Sequence, residues 1–501
     1  MRPLAWSQPE QNRRLLEPLV VTAGVLVAVG GGLATALIHP VAGVAALIGV
    51  LVAVGILVNT QLGLMSFVLV ATLLPFAVVP VPLLGNLKPT LLDAALTGLL
   101  LAWVFRFLGK PASSLVRTPL DPLVLIFIGL AFTSFTIGVF SVTAEAARFF
   151  LKTINSILFF FSVTNCLRQS RQVTSIVRLL VAAGFLASLV ALALYVMDAG
   201  TANRILNYLT TLGYPSGMVL RYIASTDTLR AIGTSIDPNV LGGTLVLLIP
   251  VALGQLFGET PVFKRWKMAV IVAAMGLTMA LTFSRGSWLG VGAAALFLSG
   301  LKYRTLLVLL IIFGAALYIL PVGDVLVERL ESGIQLKDQA AAMRLGEYKD
   351  ALRLISLYPW FGVGFGLAPS IDLYVAASSI YLLMAEQMGL VGLAGFLVIM
   401  IVLFTYALRS LPKISDPSLR TIQTGALSGV LGALTAGLFD HYFFNFNFPH
   451  TVALFWFMVG LVIVATRLGV SATASSVGSS VSSPVGDPAL ALDWKSAPKS
   501  S

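Results

Sequence analysis

The sequence has one cysteine, Cys166, in 501 residues. That excludes an intramolecular disulfide and any metal centre built from several thiolates. Charged residues are scarce too, at 11% of the chain, while hydrophobic residues make up 58% and the mean hydropathy is +0.95. A soluble core of this length could not hide so much apolar surface, which excludes a soluble globular domain and leaves a polytopic membrane protein. No phosphate-cradling loop is legible. Gly362, Gly364 and Gly366 are closely spaced, but no strand precedes them, so they do not form a dinucleotide motif. Internal repeats and a separate soluble domain are also missing.

What is present is a series of long, continuous apolar runs. In lipid only helices and closed barrels satisfy their own backbone, and runs of this length favour helices. The pattern predicts about fourteen (12–14) transmembrane helices in an all-α fold, the first at Val20–Ile38 and the last at Thr451–Val464. The first run lacks a small-residue cleavage site and is expected to be a retained span. Residues 1–19 then form an N-terminal segment, 20–467 the membrane domain, and 468–501, rich in Ser, Ala, Val and Pro, a disordered tail. The net charge is +11. In a soluble domain that would suggest nucleic acid, but here the cations sit mostly between spans, so no nucleic-acid partner is expected. Basic loops alternate: Arg106, Lys110 and Arg117; Arg168, Arg171 and Arg178; Lys264, Arg265 and Lys267; Lys302 and Arg304; Arg409, Lys413 and Arg420. The positive-inside rule makes that side cytoplasmic, with both termini on it.

The segments this forces outside are Asp198–Asn239, the hairpin around Arg285, and the polar stretch 321–389, in which the chain returns to the membrane. Within that stretch Leu345, Tyr348, Leu352 and Ile355 are spaced three, four and three apart, predicting one face of an amphipathic helix from Gln339 to Tyr358. It would lie on the membrane surface or cap a cavity, and Pro359 would stop it. Arg285, with almost no loop around it, reads either as a snorkelling helix-end anchor or as a guanidinium facing an anion. Arg344 reads either as a partner of Glu347, three residues on, or as a second such group. Asp237-Pro238-Asn239 is most simply a helix cap, and Glu386 is most simply structural. Of the three histidines, His39 and His450 read as interfacial. His441 stands apart because it follows Asp440 in an aromatic loop on the outer side.

Four stretches in order, Arg230–Gly242 (RAIGTSIDPNVLG), Phe283–Leu289 (FSRGSWL), Arg344 with Pro359–Gly366 (PWFGVGFG), and Tyr381–Gly392 (YLLMAEQMGLVG), resemble the O-antigen ligase and O-antigen polymerase superfamily. The resemblance covers about Pro119 to Val464. It implies a GT-C-like fold in the bacterial inner membrane, with a long periplasmic loop containing the amphipathic helix. The implied activity is transfer of a glycan from an undecaprenyl diphosphate carrier to an acceptor hydroxyl on a lipid or glycan at the periplasmic face, with no metal or nucleotide cofactor.

Carried over, the resemblance places Arg285 and Arg344 on the diphosphate, and Arg230 and Arg221 join them as outer-side cations. The family's usual histidine falls on Ser378, so the sequence departs from the pattern at the residue usually given the base role. His441 or Asp440 is the expected substitute, with Ser378 and Glu386 as further candidate catalytic residues. A transporter or flippase of lipid-linked saccharides, and a protein O-oligosaccharyltransferase, stand as alternatives.

Overall fold

A computed structural model of the chain describes residues 55–56, 59–78, 89–108, 115–139, 142–223, 228–319, 339–366 and 377–481. The first expected span, most of the second, His39, the loop segment 320–338 and the tail from 482 lie outside the described residues. The rest is a helical bundle with one short β ribbon. In chain order the helices are α1 Thr60–Leu73, α2 Leu91–Leu108, α3 Asp121–Ile137, α4 Ala144–Cys166, α5 Ser170–Val196 and α6 Ala199–Tyr208. Strands β1 Arg221–Tyr222 and β2 Leu229–Arg230 pair antiparallel, with Arg221 opposite Arg230. Then come α7 Pro238–Phe257, α8 Arg265–Leu281, α9 Arg285–Leu301, α10 Arg304–Ile319, α11 Gln339–Leu357, α12 Ile380–Ser410, α13 Pro417–Ala436 and α14 Pro449–Val481. Among the described residues, α4, α5, α7, α12 and α14 are long and apolar enough to cross a membrane, and α1, α2 and α3 are shorter apolar helices. This is an all-α membrane protein in character.

Helix starts are set by local chemistry. The Asp237 carboxylate accepts from the Asn239 and Val240 amides at 2.8 and 3.1 Å, and Pro238 fills the first turn of α7 where no N–H is needed. Asp416 and Pro417 do the same for α13. The bundle is centred on α14, buried on all sides from Val452 to Ala465. A helix apolar all round has to be a core helix or lie in lipid, and here it is the former. Its last turns hold on past the expected Val464 end, where Gly469 sits against Ile414 and Leu468 and Val470 pack on the core.

Beside it, α7, α9 and α13 approach at backbone distance. A methyl group on Gly429 would lie 2.8 Å from the Leu247 carbonyl oxygen, and one on Gly432 would lie 2.8 Å from that of Gly290. Small residues spaced three and four apart are what allow helices to close up where lipid supplies no hydrophobic drive.

The basic loops gather at one end. There Lys302 pairs with Glu259 at 2.9 Å, Arg178 donates to the Val262 carbonyl, and Arg467 caps the end of α4 through Thr164 and Leu167. The starts of α7, α9, α12 and α14, the end of α13, and α11 share the opposite end. Helix α11 has the expected bounds, but its inward face differs from the one the apolar spacing predicts. Ala351 and Leu354 are buried, and Arg344, Glu347 and Tyr348 turn inward with them. Leu345 and Leu352, 39% and 57% exposed, lie on the outer flank. Polar partners below the helix attract its charged side, and in a bilayer an apolar flank costs nothing when it faces lipid tails.

Helix α12 is broken at Gly389 (φ 67°, ψ −176°), which divides a buried first half from the long apolar second half. The loop 359–366 plugs the break. The amides of Leu390 and Val391 donate to the carbonyls of Pro359 and Trp360, and those of Val363 and Gly364 donate to the carbonyls of Glu386 and Gln387. Non-helical backbone inside a membrane domain is tolerated when it is hydrogen-bonded within protein in this way.

Candidate active site

The segment from Gly437 to Tyr442, which leaves α13 and turns back toward α14, is where the elements of the end opposite the basic loops meet. Helix α12 is tied to it by the Ile380 amide and the Ser379 hydroxyl, both donating to the Gly437 carbonyl at 2.8 and 3.2 Å. Helix α9 reaches it through Gly286, packed on Phe439, and through Ser287, whose hydroxyl is 3.2 Å from that of Tyr442 and 2.9 Å from that of Ser284. Helix α7 reaches it through Gly243, which lies flat on the Tyr442 ring where any side chain would collide. Three helix N-termini thus surround one short segment. Their dipoles place partial positive charge there, an arrangement suited to anions.

Three cationic side chains are placed around it. The Arg344 guanidinium reaches from α11 to Asp440, Nη2 to Oδ2 at 3.4 Å, an ion pair that is one quarter exposed on the arginine side. Arg285 is the first residue of α9, half-buried, beside the Ser284–Ser287–Tyr442 chain. Arg230 is fixed behind it, with Nε donating to the Thr282 carbonyl and Nη2 to Asn239 Oδ1, each at 2.8 Å. Arg221, across the ribbon from Arg230, is exposed.

Asp440 is nearly enclosed. Burial pushes its carboxyl above the usual carboxylate range, an effect opposed by His441 and Arg344 and reinforced by the nearby Asp237. Its Oδ1 accepts the His441 amide at 2.9 Å, while the His441 ring nitrogen Nδ1 stands 3.8 Å from Oδ1, too far for a hydrogen bond. The two neighbours therefore meet through backbone rather than through the imidazole.

Ser378 is in the site, in unexpected company. Its amide and its hydroxyl both donate to Glu347 Oε2, at 3.0 and 2.5 Å. One residue on, the Tyr348 hydroxyl lies 3.0 Å from the Ser378 carbonyl and 3.1 Å from that of Leu438, and burial raises the pKa of that phenol.

The structure thus brings together Arg344, Asp440, His441 and Ser378, with Arg285 and Arg230 on the adjoining shelf. Glu386 is not among them. It is fully buried six residues into α12, roughly 9 Å along the helix from Ile380, and its carbonyl serves the Val363 amide beside the break. His450 is also interior rather than interfacial, with no exposed surface and its ring 5.0 Å from that of Phe76. Ser287 and Tyr442 are not singled out by the sequence, which reads Glu347 and Tyr348 only as an ion-pair partner and as part of an apolar helix face. The one signal available for Glu347 was its place one turn after Arg344 on the same helix face, which had suggested an ion pair between them.

Comparison with curated proteins gives no match. Residues 270–397 match the family model described as O-antigen ligase, a stretch running from within α8 to within α12 that holds Arg285, Arg344, Glu347 and Ser378. That match, in place around the arginines, supports a likeness to the O-antigen ligase and O-antigen polymerase superfamily.

Proposed function

We propose that the protein transfers a glycan from an undecaprenyl diphosphate carrier to an acceptor hydroxyl at the periplasmic face of a bacterial inner membrane. The observation that carries this reading is the Arg344–Asp440 pair among the starts of α7, α9 and α12, at the end of the bundle opposite the basic loops. Displacing a lipid diphosphate from an anomeric carbon builds negative charge on a leaving group that needs no proton. Fixed guanidinium groups and helix N-termini stabilise that charge without reorganising during the reaction.

In this reading Arg285 and Arg344 hold the diphosphate, and Arg230 supports the shelf from which Arg285 projects. Asp440 serves Arg344 rather than the acceptor. Both of its oxygens are already engaged, one by the guanidinium and one by the His441 amide. Asp440→Asn should therefore weaken donor binding and slow transfer at least about tenfold, measured as apparent KM and rate in proteoliposomes. His441→Ala should act mainly by loosening the same turn. A rate within twofold of wild type for Asp440→Asn would remove Asp440 from the site.

The full fold, about fourteen spans in a GT-C-like arrangement with cytoplasmic termini, belongs to this same proposal. A reporter active only in the cytoplasm should work when fused after Lys302 or Arg409 and be silent when fused after Gly217. Activity of the Gly217 fusion would invert the topology and take the periplasmic site with it.

The deciding experiment supplies proteoliposomes with lipid-linked donor on one leaflet only. Formation of glycan–acceptor product supports transfer. Movement of intact donor between leaflets with no product would establish the transporter reading instead, and glycan found on protein hydroxyls would make the enzyme a protein O-oligosaccharyltransferase.

A further inference from the structure

Among the described residues, the carboxylate placed best to face an incoming hydroxyl is Glu347. Oε2 of that group is held by the amide and hydroxyl of Ser378, while Oε1 makes no hydrogen bond to a described residue. Among the described residues, the side chain is therefore held through one oxygen only. Helix α11 is itself pinned by Tyr348, whose hydroxyl reaches the Ser378 and Leu438 carbonyls. Arg344 projects from the same face one turn earlier, and residues at that spacing stand about 5–6 Å apart at Cβ. In a near-attack geometry the incoming oxygen is about 3–3.5 Å from the carbon, with the leaving oxygen bonded to its far side. Two side chains one helical turn apart can thus serve both ends of a displacement, one holding the leaving diphosphate and the other receiving the acceptor proton.

We propose that Glu347 is the base that takes the proton from the acceptor hydroxyl, with Ser378 as its positioning residue. The proposal rests on the transfer reading above. In the step, the acceptor O–H proton passes to Glu347 Oε1 as the acceptor oxygen bonds to the anomeric carbon. The bond from that carbon to the diphosphate oxygen breaks, and its electron pair leaves on undecaprenyl diphosphate, whose charge Arg344 and Arg285 receive. Glu347 then returns its proton to water.

Among the described residues, the titratable or charged groups around Glu347 are Arg344, Tyr348 and Asp350 on its own helix, and Asp440 and His441 from the segment beneath. Each of the last two could imitate an acid-side fall in rate, so variants of both belong in the test.

The test uses full-length protein in proteoliposomes made from a lipid extract of the source organism, which contains donor and acceptor pools. Undecaprenyl diphosphate is the binding probe. Glu347→Gln keeps an oxygen for Ser378 but cannot take a proton at neutral pH. Transfer should fall about 10²- to 10⁴-fold, the range such catalysis contributes, with binding of undecaprenyl diphosphate within twofold of wild type and the fall in rate toward acid pH abolished. Glu347→Asp should recover part of the rate together with a displaced pH profile. Asp440→Asn and His441→Ala should keep the acid-side fall.

Transfer by Glu347→Gln within threefold of wild type would overturn the proposal. So would loss of probe binding in that variant, which marks a folding or binding role, or disappearance of the acid-side fall in Asp440→Asn or His441→Ala instead. If the wild-type protein binds the probe and forms no product, the transfer reading itself fails and this proposal fails with it.

Discussion

Replacing Arg344 with alanine should reduce glycan transfer by about 10²- to 10³-fold, the loss that follows removal of one preorganised donor from a developing oxyanion. Arg344→Lys keeps the charge but loses the planar fork that grips two oxygens at once, so it should still cost at least about tenfold. Asp440 sharpens the contrast. It stands 3.4 Å from one terminal nitrogen of the guanidinium, and a lysine ammonium, a single point of donation, cannot satisfy Asp440 and a diphosphate along two directions. Arg285→Lys should show a comparable defect, because it keeps a charge at the start of α9 but loses the same planar fork. Membrane insertion should stay unchanged in all three, and thermal unfolding in the two lysine variants, whereas Arg344→Ala leaves the buried Asp440 unpaired and should unfold earlier. Near-normal transfer by both lysine variants would reduce the two arginines to helix-end anchors. That result would leave Glu347 untouched as a candidate base, so the clamp and the base can fail separately.

The second large effect is structural. Gly389→Ala should destabilise the protein by more than about 3 kcal/mol and abolish transfer. Its backbone (φ 67°, ψ −176°) lies in a region essentially reserved for glycine, and a methyl group there would stand 2.1 Å from the Trp360 carbonyl oxygen. Two costs therefore add: the strained dihedral, and the displacement of the 359–366 loop that satisfies the broken helix. The first half of α12 carries Ser379 and Ile380 to the Gly437 carbonyl, so a shift at the break moves Ser378 away from Glu347. Gly276→Ala in α8 is the matched control, because a methyl group added there meets nothing within 4 Å. Thermal unfolding in detergent reads the difference, and equal midpoints for the two variants would show that the break tolerates a side chain.

By itself the amino-acid sequence determined the class of the protein and most of its helices. Apolar run length answers directly to the thickness of a bilayer, which is why the last expected span, Thr451–Val464, falls inside α14. The two arginines at the end opposite the basic loops were legible for a related reason. Charge is costly there and the positive-inside rule disfavours it, so Arg285 and Arg344 stood out without any knowledge of contacts.

Only the tertiary structure decided which polar groups meet. Sequence spacing fixes neighbours along one helix, but Glu347 and Ser378 are 31 residues apart and Arg344 and Asp440 are 96 apart, and nothing local encodes those meetings. The inward face of α11 escaped for the same reason. In a lipid setting the apolar flank need not turn inward, so the hydrophobic period identifies the helix without saying which side is buried. The roles proposed for Asp440 and Glu347 rest on which oxygens are already occupied, and that is a property of the folded site alone.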